Sequence, residues 1–182
     1  DGNTSIDTRS FNRILSFNPS KSEIEVEAGI SLHKLFAFTS SNGFYLAVQP
    51  GYPAITIGGC IAADAHGKNP YKNGTFSNHL IGFKLYHPDY GTRWIDSNNN
   101  PELFNLTCGG LGLTGIILSA KLKLLPLKGS SVNMSRQKVN SLIESYYLLR
   151  EVTGSNDFAY TWNNGSVLGK FGKGDIITGN FS

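Results

Sequence analysis

Pro50-Gly51-Tyr52-Pro53-Ala54-Ile55-Thr56-Ile57-Gly58-Gly59-Cys60-Ile61-Ala62-Ala63-Asp64-Ala65-His66-Gly67-Lys68-Asn69 is the stretch on which the fold of this chain turns. It has no sustained hydrophobic period, so it reads mostly as loop with one short helix near 57–64. Gly51 lets the backbone turn tightly and approach a ligand. Gly58-Gly59 leaves no Cβ atoms in the way, so backbone N–H groups can point at phosphate oxygens. Cys60, Ala62, Ala63 and Ala65 are small, and a flat, bulky ligand can lie along such a run. Thr56 adds a hydroxyl donor. The same composition also suits a tight helix–strand packing site that needs small residues for its own sake. The dinucleotide fingerprint and the Walker lysine pattern are both missing.

Polar chemistry sits at the end of this smooth run. In His66-Gly67-Lys68-Asn69 an imidazole and an ammonium flank a flexible glycine, a combination that can grip a sugar hydroxyl or a phosphate. A histidine so placed is also compatible with a purely structural role. A second glycine cluster, Cys108-Gly109-Gly110-Leu111-Gly112-Leu113-Thr114-Gly115-Ile116-Ile117, reads either as a helix C-cap with a bulge or as a second backbone wall against the same ligand.

Working outward, residues 23–28 alternate, with Ile24, Val26 and Ala28 on one side and Glu23, Glu25 and Glu27 on the other, as in a half-exposed strand. Ser31 caps a helix in which Leu32, Leu35 and Phe36 share a face, and Gly43 stops it. Phe44–Val48 reads as a short strand. Ile81, Phe83 and Leu85 mark another, the turn 87–91 follows, and Thr92–Ile95 returns as its partner. Pro101 opens a short helix. Gly115–Leu125 is the longest strand, with Leu118, Ala120, Leu122 and Leu124 facing inward. Gly129-Ser130-Ser131 looks like a boundary. Beyond it Val139, Leu142, Ile143, Tyr146 and Tyr147 mark an amphipathic helix, and Phe158–Trp162 and Asp175–Phe181 read as strands. Strands and helices of both kinds, joined by hairpins, give an α+β class. The strands at 23–28, 81–86, 92–95 and 115–125 are expected to form one sheet.

At 182 residues the chain is one full domain or parts of two. A hydrophobic fraction of 40% and a charged fraction of 16% belong to a soluble globular protein rather than a disordered one. A formal net charge of +3 without a long Lys/Arg run offers no nucleic-acid groove, so no nucleic-acid partner is expected. Two cysteines, Cys60 and Cys108, cannot hold a metal alone and read as buried free thiols, which fits a reducing compartment. No stretch approaches the length of a membrane span, and no signal peptide is read at the start. Sequons such as Asn73-Gly74-Thr75 are expected by chance in an Asn-rich chain.

Gly29-Ile30-Ser31-Leu32, the 50–69 run, Phe76-Ser77-Asn78-His79, the 88–91 turn, and Glu102-Leu103-Phe104 followed by 109–117 occur in that order at ordinary spacing. As an ordered set they resemble the PCMH-type FAD-binding domain of the vanillyl-alcohol-oxidase superfamily. The His-Gly-Lys-Asn and Phe-Ser-Asn-His tetrapeptides are most similar to its sugar-oxidising branch, that of the aldonolactone oxidases and decaprenylphosphoryl-ribose oxidases. The resemblance implies an FAD-binding domain over 1–127, as a second FAD-binding subdomain, and the beginning of a substrate or cap domain over 128–182. It implies non-covalent FAD. Gly51, Tyr52 and Thr56 would lie at the ribityl–pyrophosphate region. Gly59, Ala63, Ala65, His66 and Gly67 would run beside the isoalloxazine, Gly112 would belong to the second wall, and Ile117 would lie by the adenine end. His66 and Lys68 match residues that face substrate.

The implied reaction is oxidation of a CH–OH group of a sugar derivative, such as a polyprenyl-phosphate-linked sugar, by hydride transfer to flavin N5. A lactone or alditol is the near alternative. The resemblance also implies a place in cell-wall or polysaccharide biosynthesis, a partner reductase that completes an epimerisation, and a cytoplasmic enzyme with membrane association admitted. Two other functions fit the same residues: an FAD-carrying electron-transfer module of a larger complex, and a binding domain without activity. Over 139–182, a helix followed by strands returning over the flavin face would favour the substrate domain. In the family a pyrophosphate loop lies before the region matching residue 1, and a tyrosine and a lysine of the active site lie beyond the region matching residue 182. The chain is therefore expected to be part of a protein more than twice as long, and alone to fold but hold FAD poorly or not at all. Leu111 stands where the sugar-oxidising branch tends to have a polar residue.

Overall fold

Five segments of chain, most of them alternating apolar and polar residues, build the largest antiparallel sheet in the computed structural model, which describes residues 6–166 and 170–182. Residues 1–5 of the expected first domain lie outside the described residues. The sheet strands are β1 (Ile14–Asn18), β2 (Glu23–Glu27), β4 (Leu80–His87), β5 (Gly91–Ile95) and β6 (Ile116–Lys123), in the order β1-β2-β6-β4-β5. Helices α1 (Leu32–Ser41), α2 (Ile57–Ala62) and α3 (Pro101–Thr107) belong to the same body. Strand β3 is only Phe44–Tyr45, paired with β7 (Leu125–Pro126), and Leu46–Val48 continue as buried non-strand chain. Ile24 and Val26 of β2, Phe83 and Leu85 of β4, and Ala120 and Leu122 of β6 join Leu32, Leu35, Ile57, Cys60 and Ile61 in one buried cluster.

Three expectations need correction. Phe36 is exposed, and Thr39 takes the third inward place on α1, where its hydroxyl bonds the Phe36 carbonyl. Leu118 does not face the core. The β4–β6 register passes from Lys84↔Ser119 to Leu85↔Ile117, so Leu118 is skipped. This bulge resets the two-residue alternation and turns Ile117 inward instead. Glu27, expected on the solvent side, is only 6% exposed. Its carboxylate accepts the Arg13 backbone N–H at 2.8 Å and the guanidinium at 2.7 and 3.0 Å. A buried carboxylate is tolerated when fully bonded in this way.

The chain divides into two compact units: Asp1–His66 with Thr75–Pro126, and Gly67–Gly74 with Leu127–Ser182. The second is a three-stranded antiparallel sheet of order β8-β10-β9, made by β8 (Val132–Val139), β9 (Phe158–Asn163) and β10 (Gly174–Phe181), with α4 (Leu142–Thr153) between β8 and β9. Strand β8 escaped the sequence reading because its exposed, largely polar residues show no apolar alternation. Ile143, Tyr146 and Tyr147 were expected to face inward, yet they are exposed, and Ser145 is the buried residue of α4. Ser145 Oγ accepts the Asn163 amide at 2.6 Å, so the polar end of β9 selects the small hydroxylated face of the helix.

Two stability outcomes follow from the first unit. Leu122→Ala, at a fully buried β6 position, is expected to cost about 2–5 kcal/mol in urea denaturation, because a rigid sheet refills the cavity poorly. The Arg13 side chain, then its backbone N–H, holds the Glu27 carboxyl below the ordinary value of 4.5. With the folded value depressed, this stabilisation is complete above the unfolded value and is lost as pH falls through the folded one. The stability gap between wild type and Glu27→Gln should therefore close on acidification; a gap independent of pH would contradict the ion pair.

Candidate functional site

The glycine-rich loop is anchored before it is available to any ligand. Thr56 caps α2, its Oγ1 accepting the Gly59 N–H at 3.2 Å. Ile57 N–H donates to the Ile30 carbonyl at 3.0 Å, Gly58 N–H to the Ala28 carbonyl at 2.7 Å, and Cys60 N–H to the Thr56 carbonyl at 2.9 Å. The expectation that Gly58 and Gly59 N–H groups aim at phosphate oxygens is thus corrected, because the first turn already uses these donors internally. Gly58 is a packing glycine: a Cβ there would stand 3.2 Å from both the Cβ and the carbonyl oxygen of Ala28. The Thr56 hydroxyl keeps its own proton to donate.

What remains open is a surface with few side chains. Gly59 and Ala63, one helical turn apart, are exposed, as are Gly51 and Tyr52. Around Gly51 and Gly112 an added Cβ would meet nothing within 4 Å. The second glycine cluster is hydrogen-bonded along the first, with Gly109 N–H to the Ile61 carbonyl at 3.0 Å and Leu111 N–H to the Ala62 carbonyl at 2.9 Å. The Thr107 and Thr114 hydroxyls, 2.9 Å apart, tie the cluster's ends. Leu111 holds a left-handed backbone at φ 52° and is 78% exposed, and Leu113 is 90% exposed. Two large leucines left in water beside smooth backbone mark an apolar rim. Ile117 lies in the core, which leaves mainly its backbone for a ligand. Burial pushes the Cys60 thiol up to about 12; burial and then Asp64 push Cys108 up to about 11. Both therefore stay protonated, and neither is a nucleophile.

Asp64, at φ 39°, turns the chain out of α2. Its Oδ1 accepts the Ser77 N–H at 2.9 Å, the Ala65 carbonyl accepts the Phe76 N–H at 2.9 Å, and His66 forms an antiparallel bridge with Thr75. Ala65 is half-buried by this clamp, and the His66 residue is exposed. Sequence reasoning missed Asp64, since a left-handed aspartate leaves no compositional signal.

Gly67 and Lys68 belong to the second unit. There the Lys68 carbonyl accepts the Ala159 N–H at 3.1 Å, and Lys68 Nζ stands 4.6 Å from the centre of the Tyr160 ring. Tyr160 was also missed, although the alternation of 158–162 already groups it with Phe158 and Trp162 on one strand face.

A family model described as "FAD binding domain" matches residues 1–94. Decaprenylphosphoryl-beta-D-ribose oxidase of Mycolicibacterium smegmatis is 36% identical over 126 residues, covering 69% of this chain and 27% of that protein. D-arabinono-1,4-lactone oxidase of Saccharomyces cerevisiae is 26% identical over 104 residues, covering 57% of this chain and 20% of that protein. The chain thus spans about a quarter of the length of the curated relatives it matches. Among solved structures, an alkyldihydroxyacetonephosphate synthase superposes with a TM-score of 0.78 at 17% identity over 96% of this chain and 37% of the other, a likeness of fold. A matched family model over half the chain, on an α+β frame whose two glycine segments lie edge to edge, places this protein in the FAD-binding domain family of FAD-linked oxidoreductases, within the vanillyl-alcohol-oxidase superfamily.

Proposed function

We propose that this chain is part of an enzyme that oxidises a CH–OH group of a sugar derivative. FAD, held non-covalently, would act as hydride acceptor at its N5. The observation that carries the reading is the pair of glycine segments bonded to one another through Gly109 and Leu111, with Gly59, Ala63 and Gly112 left exposed. Such a surface fits a planar, partly apolar ligand. Its fit to a pyrophosphate is poorer, because the donors of the α2 first turn are occupied.

On the first unit, Gly51, Tyr52 and Thr56 would hold the ribityl–pyrophosphate region. Gly59, Ala63, Ala65 and His66 would line the ring system, Gly112 the second wall, and the Ile117 backbone the adenine end. The His66 imidazole, on the first unit, would face substrate; on the second unit, taken by itself, Gly67 would bear on the ring system and Lys68 on the substrate. Positioning a hydroxyl-bearing carbon against a fixed acceptor is where the protein contributes most of the rate.

The substrate class is proposed from the relatives' names: a polyprenyl-phosphate-linked sugar first, a sugar lactone second. A helix followed by two antiparallel strands, α4 to β10, supports a substrate domain over an electron-transfer module. A lipid-linked substrate would bring a cytoplasmic enzyme to a membrane surface; among the described residues no helix is long and apolar enough to cross one. In that setting a separate reductase would act on the oxidised sugar.

The full-length protein is expected to purify with a flavin absorbance spectrum and to release intact FAD on denaturation. A colourless protein that takes up no added FAD would overturn the reading. Lys68→Ala should impair turnover far more than FAD retention, whereas Gly59→Val should do the reverse. A Cβ at Gly59 would lie 3.3 Å from Thr56 Oγ1, which must give by a few tenths of an ångström, and 3.6 Å from Ile55 Cγ2, an ordinary contact; the rest of the branched side chain stands at an exposed position. Equal loss of flavin and turnover in Lys68→Ala would assign Lys68 to the cofactor instead.

A further inference from the structure

We propose that Asp157 is a positioning residue that acts through Lys72 to fix segment 67–74 and thereby hold the Lys68 ammonium over the Tyr160 ring. The inference rests on the reading above, in which Lys68 faces substrate.

Within the second unit, segment 67–74 is tied to the chain around 156–159. The Lys68 carbonyl takes the Ala159 N–H at 3.1 Å, the Tyr71 hydroxyl donates to the Asn156 carbonyl at 3.0 Å, and Lys72 Nζ stands 2.8 Å from Asp157 Oδ1. The anchor itself is rigid. Asp157 Oδ2 accepts the Phe181 N–H at 3.1 Å, and the Asp157 N–H donates to Asn180 Oδ1 at 3.0 Å. The Asn180 amide donates to Asn156 Oδ1 at 2.7 Å, and the Asn156 amide to the Val152 carbonyl at 2.8 Å, so the carboxylate is built onto the end of β10 and the end of α4. The Asp157 side chain is 13% exposed and that of Lys72 is 40% exposed, so the segment's lysine comes to a carboxylate already in place. Lys128 Nζ stands 3.5 Å from the same Oδ1 and adds a weaker second cation. Lys72 first, with further help from Lys128, holds the Asp157 carboxyl below its ordinary range, and the pair therefore persists through neutral pH.

Lys68 needs such a device. Its side chain has four rotatable bonds, and a surface cation–π contact is too weak to order them alone. Fixing the backbone at Ala159 and at Lys72 leaves those bonds free to rotate but fixes the point from which they reach, so the rotamer that sets the ammonium over Tyr160 stays aligned with the ring. The ammonium then remains over Tyr160 4.6 Å from the ring centre, where a substrate anion or hydroxyl can use it.

The test uses the full-length, FAD-loaded enzyme with two probes, D-arabinono-1,4-lactone and a polyprenyl-phosphate-linked ribose. Lys72→Met and Asp157→Asn should each lower kcat/KM about ten- to hundredfold, the scale of a small misplacement of a positioning group, with FAD absorbance retained. The double variant should be no worse than the poorer single one, because both changes break one coupling. Lys72→Arg, which keeps the pair, should stay within about twofold of wild type. Amide exchange at Ala159 should quicken in Lys72→Met and Asp157→Asn. That measurement needs no substrate, and unchanged Ala159 protection in both variants overturns the proposal by itself. Folded, flavin-loaded variants that turn over like wild type, or losses that add in the double variant, also overturn it. Should Asp157→Asn fail to fold, Lys72→Met and Lys72→Arg decide alone. A Lys68→Ala enzyme with wild-type turnover overturns the substrate reading; a defective Lys68→Ala with intact Lys72→Met and Asp157→Asn overturns only the positioning role.

Discussion

The contact between Gly58 and Ala28 governs the rest of the first unit's surface. The Gly58 N–H reaches the carbonyl just past β2 at 2.7 Å, and any larger residue would press on Ala28. Once α2 is held against the end of that strand, its outer side must carry Gly59 and Ala63. Its last carbonyls, at Ile61 and Ala62, receive the N–H groups of Gly109 and Leu111, the Ile61 carbonyl also accepting the Asp64 N–H. One close approach thus orders two segments that lie about fifty residues apart in the chain. It also explains why a run of small residues serves packing and ligand surface together: the inner side of the helix is small so that it can seat, and the outer side is bare as a result.

The chain then divides its polar chemistry. Asp64, Ala65 and His66 are clamped to the 75–77 segment in the first unit, and Gly67 onward is held by the second. In the first unit Ser77, Phe76 and Thr75 close on Asp64, Ala65 and His66; in the second, Ala159, Asn156 and Asp157 hold Lys68, Tyr71 and Lys72. Loops that carry function are commonly mobile. Here the hydrogen bonds of 64–66 in the first unit, and separately those of 67–74 in the second, tie each segment to its own unit.

Two sheltered carboxylates follow one rule: each is met at both oxygens. Glu27 is acceptable because Arg13 meets both its oxygens, and Asp157 because Lys72 and Phe181 meet its own. Asp175 departs from it: one oxygen meets Arg136 at 2.6 Å, and the other is buried with no partner. Its geometry carries no role in the chemistry described for Lys68.

The sequence by itself determined the strands β2, β4, β5 and β6, the helices of the first unit and the family, though not β1. Those depend on local facts: two-residue alternation at 23–28 and 81–85, a serine before Leu32, prolines at helix starts, and glycines in motif order. Only tertiary structure decided which way certain residues face. A bulge at Leu118 turned Ile117 into the core, Arg13 drew Glu27 under cover, and the Asn163 amide brought Ser145 of α4 inward while its tyrosines stayed in water. The fate of the Gly58 and Gly59 donors was likewise invisible, since their partners are the Ala28 carbonyl, far off in sequence, and a cap formed only when the helix forms. Periodicity reports the average face of an element, but facing is fixed by hydrogen bonds and register shifts between distant segments, and one-dimensional order does not encode those pairings locally.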